Sequence, residues 1–138
     1  MMKMFVSFLL FPSVYFLIGC TAMDIKNQSL HKEWKLVEMN HYQKEDFIQQ
    51  NLSLNLGSMK ENMVYSKCLK SKLVMKYNSD KITFKIKDQN LSIYSCSEMD
   101  REFVGSLLNA ESYQINGHFL TLNLKGNKHL KFIAADWD

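Results

Sequence analysis

The sequence predicts a mostly β, α+β domain, an antiparallel sheet rolled into a small barrel or sandwich with one packed helix. Three observations lead there. About eight short runs alternate apolar and polar residues with the period of a half-buried strand. Turn signals of two to five residues separate them, and a single segment has the apolar spacing of a helix. Doubly wound α/β folds are excluded, because one helix cannot supply their crossovers.

The elements follow in order. Trp34-Lys35-Leu36-Val37-Glu38-Met39 alternates as a strand does. Residues 40–50 are charged and amide-rich, and read as a loop or a single helical turn. Leu52, Leu54 and Leu56 alternate with Ser53 and Asn55 in a half-buried strand ending at Gly57. Met63-Val64-Tyr65 leads into Cys68, and Leu73 to Tyr77 forms the next strand. Asn78-Ser79-Asp80 is a turn cluster, after which Ile82, Phe84 and Ile86 alternate with Thr83 and Lys85. Residues 87–90 turn the chain back, and Leu91, Ile93 and Ser95 run as a strand to Cys96.

The helix follows, from about Glu98 to Leu108. Ser97 with Asp100 forms a capping box, and Phe103, Val104, Leu107 and Leu108 line the face that should cover the sheet. Tyr113-Gln114-Ile115 precedes Asn116-Gly117, a hairpin signal whose two central residues need positive φ. Phe119 to Leu124 returns, Lys125-Gly126-Asn127-Lys128 turns, and Leu130 to Ala134 closes the domain.

At 138 residues the chain has the size of one domain. Hydrophobic residues at 46% and charged residues at 22% exclude both a disordered tail and a multi-pass membrane protein. Lys plus Arg number 17 against 14 acids, and so small and scattered an excess predicts no nucleic-acid partner.

The first twenty residues are a separate object. Lys3 precedes an apolar run from Met4 to Ile18, the n-region and h-region of an export signal. A run of about 15 residues is too short to span roughly 30 Å of hydrocarbon, so cleavage is expected. The run ends in Leu17-Ile18-Gly19-Cys20, which resembles the bacterial lipobox. A small residue before the cut admits the peptidase, and the Cys20 thiol is the nucleophile that takes the lipid. Two or three acyl chains hold a protein to a bilayer far better than one. Residues 1–19 are thus read as a lipoprotein signal peptide, 20–32 as the lipidated N-terminus and tether, and 33–138 as the folded domain. Thr21 in place of Asp after the cysteine resembles an outer-membrane address, facing the periplasm.

With Cys20 lipidated, Cys68 and Cys96 remain. An even remainder in an oxidising compartment invites a disulfide; two buried thiols or a two-thiolate metal site are the alternatives. His31, His41, His118 and His129 show no metal-ligand spacing, so no metal and no cofactor are expected.

From Trp34 to Phe132 the chain resembles the META domain, the family of the HslJ-like, heat-shock-inducible bacterial lipoproteins. The resemblance rests on Trp34-Lys35-Leu36-Val37, Cys68, Cys96, the segment from Glu98 to Leu108, Tyr113 to Gly117 with Leu120-Thr121-Leu122, and Leu130-Lys131-Phe132. The family's Gly-Cys-Asn reads Lys67-Cys68-Leu69 here, and its Met-Ala-Cys-Pro-like run reads Tyr94-Ser95-Cys96-Ser97. The resemblance implies a shared structural role for the two cysteines, as a disulfide, and a stress-related accessory module.

No phosphate loop, nucleophile elbow or zinc-protease motif occurs, so an enzyme is not expected. Glu98, Asp100, Arg101 and Glu102 read as an acid/base group or as acids complementing a helix dipole. Tyr65, Tyr77, Tyr94 and Tyr113 read as core or as an aromatic surface. Lys67, Lys70, Lys72 and Lys76 read as a contact for anionic lipid or as a solvated strand face. Two functions follow: an envelope lipoprotein acting as an accessory binding module toward an envelope protein or lipid, or a membrane-tethered inhibitor or carrier holding a protein or apolar ligand. A filled interior with an exposed patch favours the first.

Overall fold

The computed structural model describes residues 30–57, 61–88 and 93–137. The signal, Cys20 and the tether to residue 29 lie outside them. Eight antiparallel strands close into a barrel in sequence order: β1 (Glu33–Met39), β2 (Ser53–Asn55), β3 (Asn62–Tyr65), β4 (Lys70–Asn78), β5 (Lys81–Ile86), β6 (Ala110–Asn116), β7 (Phe119–Leu124) and β8 (Lys128–Ala134). The predicted fold class is realised as a barrel. Closure comes from β1 against β8, with Trp34 opposite Ala134 and Leu36 opposite Phe132.

Strand alternation sends Trp34, Ile82, Tyr113, Leu120, Leu122 and Phe132 inward, all at most 1% exposed. A one-residue slip would turn this set to water, so the apolar pattern itself fixes the register. An eight-stranded barrel is just wide enough for such side chains to fill it.

Among the described residues, two α-helices join the barrel. α1 (Lys44–Gln50) stands where a loop or single turn was expected. Asp46 Oδ2 accepts from the Gln43 N–H at 2.9 Å at its start, buried Phe47 fastens it to the wall, and Asn51 in the left-handed region ends it. α2 (Glu98–Leu108) is the predicted helix. Ser97 Oγ accepts from the Asp100 N–H, and Asp100 Oδ2 accepts from the Ser97 N–H at 3.1 Å, the expected capping box. Phe103, Val104 and Leu107 are buried, and the Phe103 ring lies 6.2 Å from that of Phe132. Leu108, placed on the same face by spacing, is 44% exposed because the helix ends there, at the margin of its apolar stripe.

Three other details differ from expectation. Ile93–Ser95 is a 3-10 turn in place of a strand, and Leu91 lies outside the described residues. Only Leu91 and Ile93 supplied an apolar alternation there, too little to hold a strand. Leu30, assigned to the tether, is fully buried, and its carbonyl accepts from Trp34 Nε1 at 2.9 Å. The β6–β7 hairpin turns at Gly117 and His118, with Gly117 alone at positive φ, 60°. That register sets Ile115 against Leu120; a turn centred on Asn116-Gly117 would set it against His118.

Strands β5 and β6 are joined, among the described residues, by one register pair, Lys81 with Ser112, and by the Tyr113 N–H donating to Asp80 O at 2.8 Å. α2 covers this seam, contacting β5 and β7 on its two sides.

Candidate functional site

Cys68 lies in the bend between β3 and β4, and Cys96 immediately precedes Ser97. The two form a disulfide, with Cα atoms 5.6 Å apart. The bend is held by Ser66, whose Oγ accepts from the N–H groups of Cys68 and Leu69. Cys68 is exposed and Cys96 buried. One Asp100 carboxylate oxygen lies within 4.8 Å of both sulfurs. With the sulfurs bonded to each other they are not thiolate ligands, so the corner is a structural crosslink between the β3–β4 bend and the start of α2.

The helix-start group serves structure too. Asp100, 1% exposed, is consumed at Oδ2 by the cap, and Arg101 Nη1 donates to the Cys96 carbonyl at 2.7 Å. Glu102 accepts from Asn40 Nδ2. Burial, then the charges of Glu102, Glu98 and Asp46, hold the Tyr42 hydroxyl pKa above its usual value. The four histidines are dispersed. His31 Nδ1 donates to Leu56 O, which leaves Nε2 to accept from Tyr77 Oη. His41 stacks on Tyr42, His118 on Trp137, and His129 Nε2 sits 2.8 Å from Glu38 Oε1.

The tyrosines do not form one surface. Tyr113 is fully buried; Tyr77 faces His31; Tyr65 lies under Lys70 Nζ, 5.8 Å from its ring centroid. The side chain of Tyr94 lies outside the described part of the structure. Of the lysines near Cys68, Lys72 pairs with Glu61 at 2.8 Å, and that hydrogen bond lowers the Glu61 pKa below 4.5. Lys67, Lys70 and Lys76 are exposed.

A feature that sequence reasoning missed lies on the outer wall, where α1 crosses β1 and β8. Val37, Phe47 and Ile133 form the floor of a cavity of about 90 Å³, Lys35 and Lys44 flank it, and Ile48, 68% exposed, stands at its rim. Small-molecule sites run to about 300 Å³ and more, so this one is smaller than a ligand pocket. Phe119 continues the apolar row beyond Ile133, with Lys131 Nζ 4.6 Å from its ring centroid. An open, charged depression of about 280 Å³ lies between Lys32, Glu33, Ala135 and Asp136. The signal that could have found the groove was Phe47-Ile48, two apolar residues in an otherwise polar stretch.

No protein-family model matches this chain, and no curated protein is similar to it in sequence. Its fold is similar to the crystal structure of a DUF4847 family protein from Bacteroides vulgatus ATCC 8482. The TM-score is 0.59 at 12% identity, over 79% of this chain and 96% of that one. At that identity the likeness is one of fold. Among the described residues no helix is long and apolar enough to cross a membrane.

Proposed function

We propose that this chain is a bacterial cell-envelope lipoprotein, anchored through Cys20 after loss of residues 1–19, whose barrel is a non-catalytic accessory binding module of the META, HslJ-like kind. Its address is the periplasmic face of the outer membrane, and its setting is envelope stress. The lipobox ending in Cys20, with Thr21 behind it, supports the anchor. The bonded Cys68 and Cys96, with α2 following, support the reading that rests on the family resemblance.

One observation favours binding at the outer wall over carriage of an apolar ligand: the large side chains of Trp34, Tyr113, Phe103 and Phe132 are fully buried within the domain. The groove beside Ile48 accepts one side chain of a partner, the dimensions of a protein contact. Two measurements test the reading. Cys20→Ala should leave an unprocessed or soluble product; a membrane-bound variant of normal mature mass would remove the anchor. A photo-crosslinking residue at Ile48 should capture a discrete envelope protein that the same residue at Lys125 does not. Identical adducts from both positions would remove the groove.

A further inference from the structure

The outward positions of β4 are Lys70, Lys72, Val74 and Lys76, and the register sets Lys81, Thr83 and Lys85 of β5 beside them, with Lys87 just beyond. All are exposed. Six of the chain's 17 basic residues therefore share one two-stranded wall. The acids near it are marginal: Glu61, paired with Lys72, and Asp80 and Asp88 in the flanking turns. Asp46, Glu98 and Glu102 gather instead around Tyr42.

Within the paired strands the register interleaves these lysines, Val74 opposite Lys85 and Lys76 opposite Thr83, so they meet there only as diagonal neighbours, yet a wall kept merely soluble would intersperse both signs. Lysines often protect a free strand edge. That explanation fails for Lys70, Lys72 and Lys76, since β4 is paired on one side with β3 and on the other with β5; with β5 meeting β6 in one register pair among the described residues, it bears on Lys81, Lys85 and Lys87 alone.

The described chain also begins at the mouth of the barrel. His31 bonds with Leu56 O and Tyr77 Oη, and Tyr77 lies near the end of β4 on the face opposite the lysines. Residues 21–29, at up to about 3.5 Å each, give the tether a reach of roughly 30 Å from that rim. In the circular strand order β4 and β5 lie opposite β8 and β1. A barrel resting on the basic wall therefore turns the Ile48 groove toward water.

We propose that the β4–β5 wall docks on the anionic phospholipid headgroups of the bilayer that holds the anchor. The proposal rests on the envelope-lipoprotein reading. Each lysine near such a surface contributes roughly fivefold in affinity, within a Debye length of about 8 to 10 Å.

The test uses the full-length protein, processed by its host, mixed with vesicles of phosphatidylcholine alone or with added phosphatidylglycerol. Lysines are acylated with an amine reagent and read by mass spectrometry. Lys76, Lys81 and Lys85 should react more slowly on the anionic vesicles by roughly threefold or more, recover at high salt, and leave Lys125 and Lys128 unchanged. The combined surface variant Lys76→Gln, Lys81→Gln, Lys85→Gln should abolish the difference in flotation between the two vesicle types. Attachment to neutral vesicles reads the anchor, and the difference between vesicle types reads the wall, so either can fail alone. Equal labelling on both vesicles, equal protection of Lys125 and Lys128, or protection that appears only on adding an acidic protein would overturn the proposal.

Discussion

Asp100 shows a buried carboxylate with its two oxygens in unlike roles. Its Oδ2 closes the cap of α2, while Oδ1 is buried without a hydrogen-bond partner beside the disulfide. The crosslink it adjoins closes a loop with a sequence separation of 28. On the chain-entropy account, replacing Cys68 and Cys96 together with Ser should lower the unfolding free energy by about 3 to 4 kcal/mol in a urea titration. A loss under about 1 kcal/mol would show that the unfolded chain gains little freedom. Tyr113 supplies a pH signature. Burial first, then Tyr77 and Asp80, raises its pKa above 10.0. As pH climbs past about 10 the unfolded chain sheds this proton before the folded one does, so stability falls until the folded group also titrates. Tyr113→Phe should flatten that alkaline decline, measured as unfolding midpoint against pH. An unchanged slope would assign the decline to other groups.

Among the elements, α2 bears most on the seam between β5 and β6. Phe103→Ala or Leu107→Ala, each at a fully buried position, should cost about 2 to 5 kcal/mol. Leu108→Ala should cost less than about 0.5 kcal/mol. Equal losses at all three would mean that the apolar face extends farther round the helix. The helix was legible because cap and stripe agree, Ser97 and Asp100 with Phe103, Val104 and Leu107. The strands were legible by alternation, Ile82 and Phe84 most plainly. α1 was not: its seven residues hold Phe47 and Ile48 amid charges and amides, and its packing on β1 supplies what local propensity lacks. The outer groove was illegible for the same reason, since it exists only where α1 crosses strands from both ends of the domain. The Asn-Gly signal predicts the turn one residue early because it is local, whereas the pairing of Ile115 with Leu120 belongs to two strands.

At the scale of the whole molecule the barrel has two unlike sides, a basic wall at β4 and β5 and a lysine-flanked apolar groove where α1 crosses β1 and β8. With its large side chains buried inside, it presents both to its surroundings. The order of the strands has a separate consequence. Lys32, Glu33, Ala135 and Asp136 border one depression, so the first and last strands run out side by side. The slightest stitching in the ring lies between β5 and β6. A circular permutant that joins these neighbouring ends with a short linker and is cut between β5 and α2 would start at the disulfide corner and finish on β5. It should fold, with the native circular dichroism spectrum and a cooperative melt. If it collapses while one cut in the Lys125–Asn127 turn folds, continuity through the β5–α2 connection is required. If it folds, the ring has an interchangeable beginning, and a second domain could be spliced into the seam without disturbing the wall or the groove.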